Sequence, residues 1–319
     1  MSVYTLVKSA DLNEWLPRFA IGAMRQLQGI TEGLTNSNYR LSTERGDYIL
    51  TLIETAEEDE ELRYLVALMS HLALRGLPCP LPICDIDGEA IHRLAQRPTL
   101  LVTCLPGRSH ETPNAAQAAQ IGGWLAQMHR CAESFRQQRN NPHGPNRWGG
   151  MLARMTPRLQ QEDPDLLMLL RSALESAQQE LFAVDAPRGC CHADLFPDNA
   201  LFDGERLVGV IDFHYACDER FVYDLAIALN AWCFDEVGTP DAKRLARMVA
   251  SYQATRPLPP VERRLLRPAL QAAALRFALS RLHDEMFPRT GHQVTVKPPE
   301  TYIRILRYHR EHDIAHPLD

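Results

Sequence analysis

Cys191-His192-Ala193-Asp194-Leu195-Phe196-Pro197-Asp198-Asn199 is the most polar-laden loop of the chain, and it is answered by Ile211-Asp212-Phe213, eighteen positions beyond Asp194. Between the two lies Asp203-Gly204, flanked by short apolar runs, which reads as the tight turn of a β-hairpin. The loop ahead of the first hairpin strand and the end of the second therefore converge at one edge. Working towards the N-terminus, Met24 to Gln28, Asn38 to Thr43 and Tyr48 to Ile53 pattern as short strands, the last two joined by the turn-forming Glu44-Arg45-Gly46-Asp47. Between Glu57 and Arg75, Leu62, Leu65, Val66, Met69 and Leu72 recur at helical spacing, and Gly76 with Pro78 supplies the stop. After a turn at Asp87-Gly88, the apolar run Thr99 to Leu105 breaks at Pro106-Gly107, where a hinge is expected. Towards the C-terminus the pattern is mostly helical: Asn114 to Gln138, Pro164 to Phe182, Glu219 to Phe234, a helix after Thr239-Pro240, then long segments to the end. The expected fold is α+β in two lobes, residues 1–104 a small antiparallel β lobe with one helix and residues 105–319 a larger, mainly helical lobe.

Composition narrows the partners. With 319 residues, 45% apolar and 23% charged, the chain can bury a core in each lobe. A net charge of -6 and a pI near 6.1 offer no basic face to a polyanion, so no nucleic-acid partner is expected. The eight cysteines show no C-x-x-C pair and no zinc-ligand spacing, as expected of reduced thiols in a cytoplasmic protein. Residues 1–15 lack the basic and long apolar regions of a signal peptide, and no segment approaches ~18 uninterrupted apolar residues, so no membrane partner is expected. Oligomeric state has no signature. Lysine is confined to Lys8, Lys243 and Lys297.

Asp194, Asn199 and Asp212 form an all-oxygen set of the kind phosphoryl transfer requires: a carboxylate beside the attacking hydroxyl, and ligands for magnesium held across nucleotide phosphates. Each alone would be an ordinary turn or cap residue; together, on a hairpin that follows a strand-rich region, they point to that chemistry. Asp198 and Asp203 read as loop and turn residues. His192 reads as a hydrogen-bonding residue that holds the loop. Cys190, Cys191 and His192 alternate faces along an extended segment and do not make a zinc site. His309, His312 and His316 have helix-like spacing without a carboxylate or cysteine to join them, and read as a solvated face. Gly29-Ile-Thr-Glu-Gly33-Leu-Thr-Asn36-Ser-Asn38 lies between two strands and could cover nucleotide phosphates with its backbone N–H groups, which need no lysine to do so.

The paired motif, spacing included, resembles the catalytic loop and D-F-G aspartate of protein kinases. Further blocks resemble the bacterial homoserine kinases of the aminoglycoside-phosphotransferase-like (choline and aminoglycoside kinase) superfamily over essentially the whole chain: Gly29 to Gly33 with Asn36-Ser-Asn38, Tyr48 to Glu54, Leu77 to Pro82, His192 to Phe196, Ile211 to Phe213, Tyr223-Asp-Leu225, Asn230 to Phe234 and Ala274 to Arg281. The resemblance implies a two-lobed protein-kinase-like fold and transfer of the γ-phosphate of ATP, with Mg2+, to the hydroxyl of L-homoserine on the route to threonine. By the same resemblance Asp194 is the base, Asn199 and Asp212 hold the metal, Gly29, Gly33, Asn36 and Asn38 meet the nucleotide phosphates, and Thr103 to Leu105 meet the adenine. The chain departs from the wider kinase pattern at Thr51, where a lysine would stand; either magnesium and backbone donors suffice or an arginine such as Arg40 substitutes, which leaves Glu60 and Glu61 without an assigned role.

A substrate carboxylate calls for a planar cation. Arg276 and Arg281 are the candidates, but five residues of helix separate them by about 140 degrees, so they need not share a face. His214 and Tyr215 follow the metal aspartate and could line the pocket mouth. Asp224 is expected to brace the catalytic loop, and His129 and Trp232 to be core residues. The rival readings are a kinase of the same fold acting on choline, an aminoglycoside or another amino alcohol, which would want an acidic or aromatic pocket, and an inactive nucleotide-binding module.

Overall fold

The first elements of the chain are a short helix α1 (Ser9–Trp15) and the strands β1 (Met24–Gly29), β2 (Ser37–Thr43) and β3 (Gly46–Leu52). They are followed by helix α2 (Asp59–Ala73) and the strands β4 (Ile91–Leu94) and β5 (Arg97–Thr103). The five strands form one antiparallel sheet in the order β1-β2-β3-β5-β4. Alternation along β2 decides which face is buried: Tyr39 and Leu41 point into the core with Leu50, Leu52 and Leu101, while Arg40 between them is exposed. Leu12, Trp15, Leu16 and Phe19 of the α1 region complete that core. The molecule is described by a computed structural model covering residues 5–30, 36–54, 59–288 and 297–312.

Two of these elements carry no sequence signal. Helix α1 spans 7 residues and has no side-chain N-cap, and its burial comes from tertiary packing, not from local preference. The β4–β5 turn is made by Ala95 and Gln96, both at positive φ (49 and 64). A two-residue hairpin of that shape is ordinarily announced by Asn-Gly or Gly, and here it is not.

The chain divides into two compact units. The first runs through Pro106 and includes Val208–Ile211; the second comprises Gly107–Leu207 and the chain from Asp212 onwards. In the first unit, the backbone N–H of Val210 donates to the Pro78 carbonyl at 3.0 Å, which ties the 208–211 segment to the sheet region. The antiparallel sheet followed by a helical unit is the expected α+β arrangement.

The second unit begins with α3 (Ala115–Ala132), opened by a capping box in which Asn114 accepts from the Ala116 and Gln117 N–H groups and Gln117 reaches back to the Asn114 N–H. It ends at Ala132, short of the expected Gln138. Helices α4 (Pro145–Glu162) and α5 (Pro164–Ser176) follow, α5 running on as a π turn over Ala177–Phe182. Strands β6 (Arg188–Cys191), β7 (Ala200–Asp203), β8 (Arg206–Val210) and β9 (Cys217–Arg220) come next, β6 pairing with β9 and β7 with β8 around Asp203-Gly204. The helix expected from Glu219 therefore starts only at Phe221, because Cys217–Arg220 are paired to β6.

Helix α6 (Phe221–Cys233) is buried along every residue from Phe221 to Asn230, and its two polar members there, Asp224 and Asn230, are both hydrogen-bonded. Helices α7 (Ala242–Thr255), α8 (Pro260–Met286) and α9 (Glu300–Glu311) complete the unit. Helices α3 and α7 approach so closely at Gly122 that a β-carbon there would collide with the Met248 carbonyl. On α9, Tyr302, Ile305, Leu306 and His309 share one buried face, and His309 Nε2 lies 2.7 Å from Asn230 Oδ1 of α6. This corrects the expected solvated histidine face: His309 continues the apolar i, i+3, i+4, i+7 stripe and is a core residue. Of its companions, His312 is exposed and His316 lies outside the described residues.

Candidate active site

The loop between β6 and β7 is held from beneath by one buried carboxylate. Asp224, in the first turn of α6, accepts hydrogen bonds from the backbone N–H groups of His192 and Ala193, each at 2.8 Å. The same carboxylate lies 3.0 Å from His129 Nε2 on α3, and His129 Nδ1 lies 2.7 Å from the Tyr252 hydroxyl on α7. Arg256 donates to that hydroxyl at 3.0 Å and to both oxygens of Glu262 at 2.7 and 3.0 Å. Burial works against an ionised Asp224, but the hydrogen bonds it accepts from His129 and from the loop's N–H groups oppose that, and its pKa is lowered. Burial lowers His129, so its imidazole is neutral. An ionised carboxylate only accepts, which places the proton on Nε2 and leaves Nδ1 to accept from Tyr252. The donors run in one direction, from Arg256 through Tyr252 and His129 to Asp224, and meet the loop's own N–H groups there. The expected bracing role of Asp224 and the core role of His129 match this arrangement.

His129, Cys191 and Asp224 come close enough to suggest a metal centre. Both imidazole nitrogens are engaged, and burial pushes the Cys191 thiol up and so keeps its proton. The cluster is a hydrogen-bonded core.

Above the brace, Ala193 sits in the left-handed region at φ 61, which turns its carbonyl towards α8, where the Arg276 guanidinium donates to it. Trp232 Nε1 donates to the Leu195 carbonyl at 3.0 Å. The buried His192 packs 4.9 Å from the ring of Phe213 and accepts at Nδ1 from the Asp194 N–H at 3.3 Å. It therefore shapes the loop. Asp194 is left half-buried at the loop's apex. Burial raises its pKa to about 7, Arg276 opposes the rise, and the charges of Asp212 and Asp198 add to it. A carboxylate so poised is suited to take a proton from a hydroxyl near neutral pH.

Asn199 donates through Nδ2 to the Asp194 carbonyl at 2.8 Å and, more weakly, to its carboxylate at 3.4 Å. Its amide nitrogen is thereby oriented, and Oδ1 is the end it can present to a cation. Asp212 follows β8, also in the left-handed region (φ 64), with an exposed carboxylate. An amide oxygen and a carboxylate, with no sulfur or imidazole, fit a hard divalent cation such as magnesium.

His214 and Tyr215 adjoin this group, their rings 5.1 Å apart, and the Arg276 guanidinium lies 5.8 Å over the Tyr215 ring. Arg281 is elsewhere on α8: it stacks 4.5 Å over Tyr302, lies 6.0 Å over Phe196 and donates to the Pro298 carbonyl at 3.2 Å. Sequence reasoning missed three neighbours. Arg139 donates to the carbonyls of His214 and Ala216 at 2.6 and 3.1 Å. His143 meets the Tyr215 ring edge-on at 4.7 Å, and Arg147 follows four residues on, in the first turn of α4. Their stretch, Arg139 to Trp148, has neither periodicity nor a motif to announce it.

The nucleotide-side candidates belong to the first unit. Gly29 pairs with Tyr39 at the end of β1; Gly33 lies outside the described residues. Asn36 Oδ1 accepts from the Glu54 N–H at 3.2 Å and Asn38 Oδ1 from the Thr51 hydroxyl at 2.7 Å. Thr51 thus anchors Asn38 at the position where the wider kinase pattern has a lysine. Arg40 forms an exposed pair with Asp47 at 2.6 Å. Thr103 exchanges hydrogen bonds with Leu81, and Leu105 packs against Gly209.

A unit built on a five-stranded antiparallel sheet, followed by a helical unit whose braced loop carries Asp194 and Asn199 and whose chain resumes after β8 at Asp212, defines a phosphotransferase of the kinase-like class. The pattern of the phosphotransferase enzyme family matches residues 26–288. The chain belongs to that family, and within it to the group of the homoserine kinases. It is 40% identical to the homoserine kinase of Methylobacterium radiotolerans over 98% of this chain and 97% of that one, and 41% identical to the homoserine kinase of Gluconacetobacter diazotrophicus over 97% of each. Among solved structures it resembles the amicoumacin kinase hAmiN with a TM-score of 0.70, at 14% identity over 95% of this chain and 92% of that one. At that identity the likeness speaks for the fold alone.

Proposed function

We propose that the protein transfers the γ-phosphoryl group of ATP to the side-chain hydroxyl of L-homoserine, giving O-phospho-L-homoserine for threonine biosynthesis. The observation that carries this reading is the near full-length identity of about 40% to homoserine kinases, borne by a chain that keeps the complete Asp194, Asn199, Asp212 set. Asp194 accepts the hydroxyl proton as the new oxygen–phosphorus bond forms; the bond from the γ-phosphorus to the bridging oxygen breaks, and ADP leaves. Asn199 Oδ1 and the Asp212 carboxylate would hold magnesium, which when bound offsets the negative charge of the phosphate oxygens. Gly29, Gly33, Asn36, Asn38, Thr103 and Leu105 are assigned to the nucleotide, and His214, Tyr215 and Arg276 to the substrate side. Arg281, turned to Tyr302 and Pro298, is assigned to hold the segment after α8. The reading places the protein in the cytoplasm; all eight cysteines are thiols, and no described helix is long and apolar enough to cross a membrane.

The test is ADP release with Mg-ATP across L-homoserine, L-serine, L-threonine, choline and an aminoglycoside, with Asp194→Asn as control. Selective turnover of L-homoserine, lowered by about 10²–10⁴-fold in the control, is expected. Turnover of only a cationic alcohol would move the protein to the rival kinase reading, and ATP binding without turnover of any acceptor would make it a binding module.

A further inference from the structure

Four arginines carry positive charge towards Asp194 or His143, Arg276 and Arg281 on α8 and Arg139 and Arg147 ahead of it, but most are committed. Arg276 donates to the Ala193 carbonyl and is buried between Phe277, 4.3 Å from its guanidinium, and Tyr215. Arg139 is buried and holds the His214 and Ala216 carbonyls. Arg281 is engaged by Tyr302 and Pro298. Arg147 is the exposed member of the four.

The Tyr215 ring connects Arg147's neighbourhood to the base. Arg276, bonded to the residue before Asp194, lies over that ring, and His143 meets the ring edge-on at an interplanar angle of 84°. His143 is itself set in place: its N–H donates to Asn141 Oδ1 at 2.9 Å and its carbonyl accepts from Trp148 Nε1 at 2.8 Å. Four residues on, Arg147 stands in the first turn of α4, whose 18-residue length gives its N-terminus a positive end. Burial, then the charges of Arg276, Arg147, His214 and Arg139, lower the His143 pKa to about 3. So much positive charge around one neutral imidazole is a field that an anion would relieve.

We propose that His143, set against Tyr215 beside Arg276, and Arg147, exposed in the first turn of α4 four residues on, form the subsite that takes the α-carboxylate of the amino-acid substrate. The inference rests on the homoserine reading and deepens it. An arginine matches a carboxylate with two parallel N–H donors, and a neutral histidine adds a third donor without bringing a second cation out of water. Anchoring the carboxylate there leaves the side-chain hydroxyl, at the far end of the substrate, as the part directed to Asp194. Selection against amino alcohols without a carboxylate then resides at Arg147, a residue that touches no reacting atom.

The experiment compares L-homoserine with 3-aminopropan-1-ol, the same molecule without its carboxylate, in the wild type and in Arg147→Ala and Arg147→Lys. Where the amino alcohol is turned over too slowly to follow, its inhibition constant against L-homoserine serves instead. Arg147→Ala is expected to reduce the preference for L-homoserine by about tenfold to a hundredfold, the range of one charged hydrogen-bonding pair. The loss should fall in KM for L-homoserine, with KM for ATP unchanged, and Arg147→Lys should recover part of it. A preference that does not move in Arg147→Ala overturns the subsite, whether both acceptors suffer equally or neither does. A wild type inactive on L-homoserine overturns the homoserine reading and the subsite together, so the two failures are distinguishable.

Discussion

Asp194 is a carboxyl whose surroundings hold it near neutrality. Burial favours its uncharged form, Arg276 favours the charged one, and the outcome is a pKa of about 7. The sign of the consequence is definite: the raised pKa means that protons bind as pH falls through neutrality, and a protonated carboxyl cannot accept another. In the free enzyme kcat/KM for the acceptor should therefore be at its plateau above about pH 7 and fall about tenfold per unit below it. A pH–rate profile flat from about pH 8 down to about pH 5 would show that Asp194 titrates as an ordinary aspartate. At the same scale, His192 and Asp224 illustrate what the motif could reveal. Both were legible as structural residues, His192 from its place in the motif and Asp224 from its place at a helix start.

The catalytic loop rests on α6, and α6 is tied to α3 and α7 by the chain Asp224, His129, Tyr252, Arg256. Replacing Asp224 by Asn exchanges an accepting oxygen for a donor and leaves one of three buried donors facing another. The expected cost is about 2–4 kcal/mol, visible as a lower Tm together with a reduced kcat; an unchanged Tm would mean that the loop is supported some other way. Gly122 tests the packing of α3 on α7 independently. Because a β-carbon there would strike the Met248 backbone, Gly122→Ala should cost about 1–3 kcal/mol, read from denaturation midpoints, although alanine is the better helix former. Periodicity and capping foretold α2, α3 and α6, whereas β4, with its Ala95-Gln96 turn, and the brief α1 were not legible. Their formation depends on partners distant in sequence, a cause that no local pattern records.

At the scale of the molecule, the motif pair and the strand-then-helix order were enough to anticipate the α+β fold, and the motif pair alone named the carboxylates of the candidate site. The acceptor side was less legible. Arg276 was visible as a candidate and lies beside Tyr215, but its partner turned out to be the loop's own Ala193 carbonyl. Arg281, on the same helix, faces Tyr302. His143 and Arg147 come from an irregular stretch some fifty residues before the motif, and only the fold brings them to Tyr215. His309 shows the opposite error: a polar residue read as solvated because its apolar neighbours on α9 were not weighed with it.

The most direct test of the account is the phosphorus NMR spectrum of the product formed from Mg-ATP and L-homoserine. The account predicts ADP and a phosphate monoester in equal amounts, the ester phosphorus split by the two protons of the side-chain carbon that bears the oxygen. Release of inorganic phosphate alone, or a product phosphorylated at nitrogen or at the carboxylate, would contradict it.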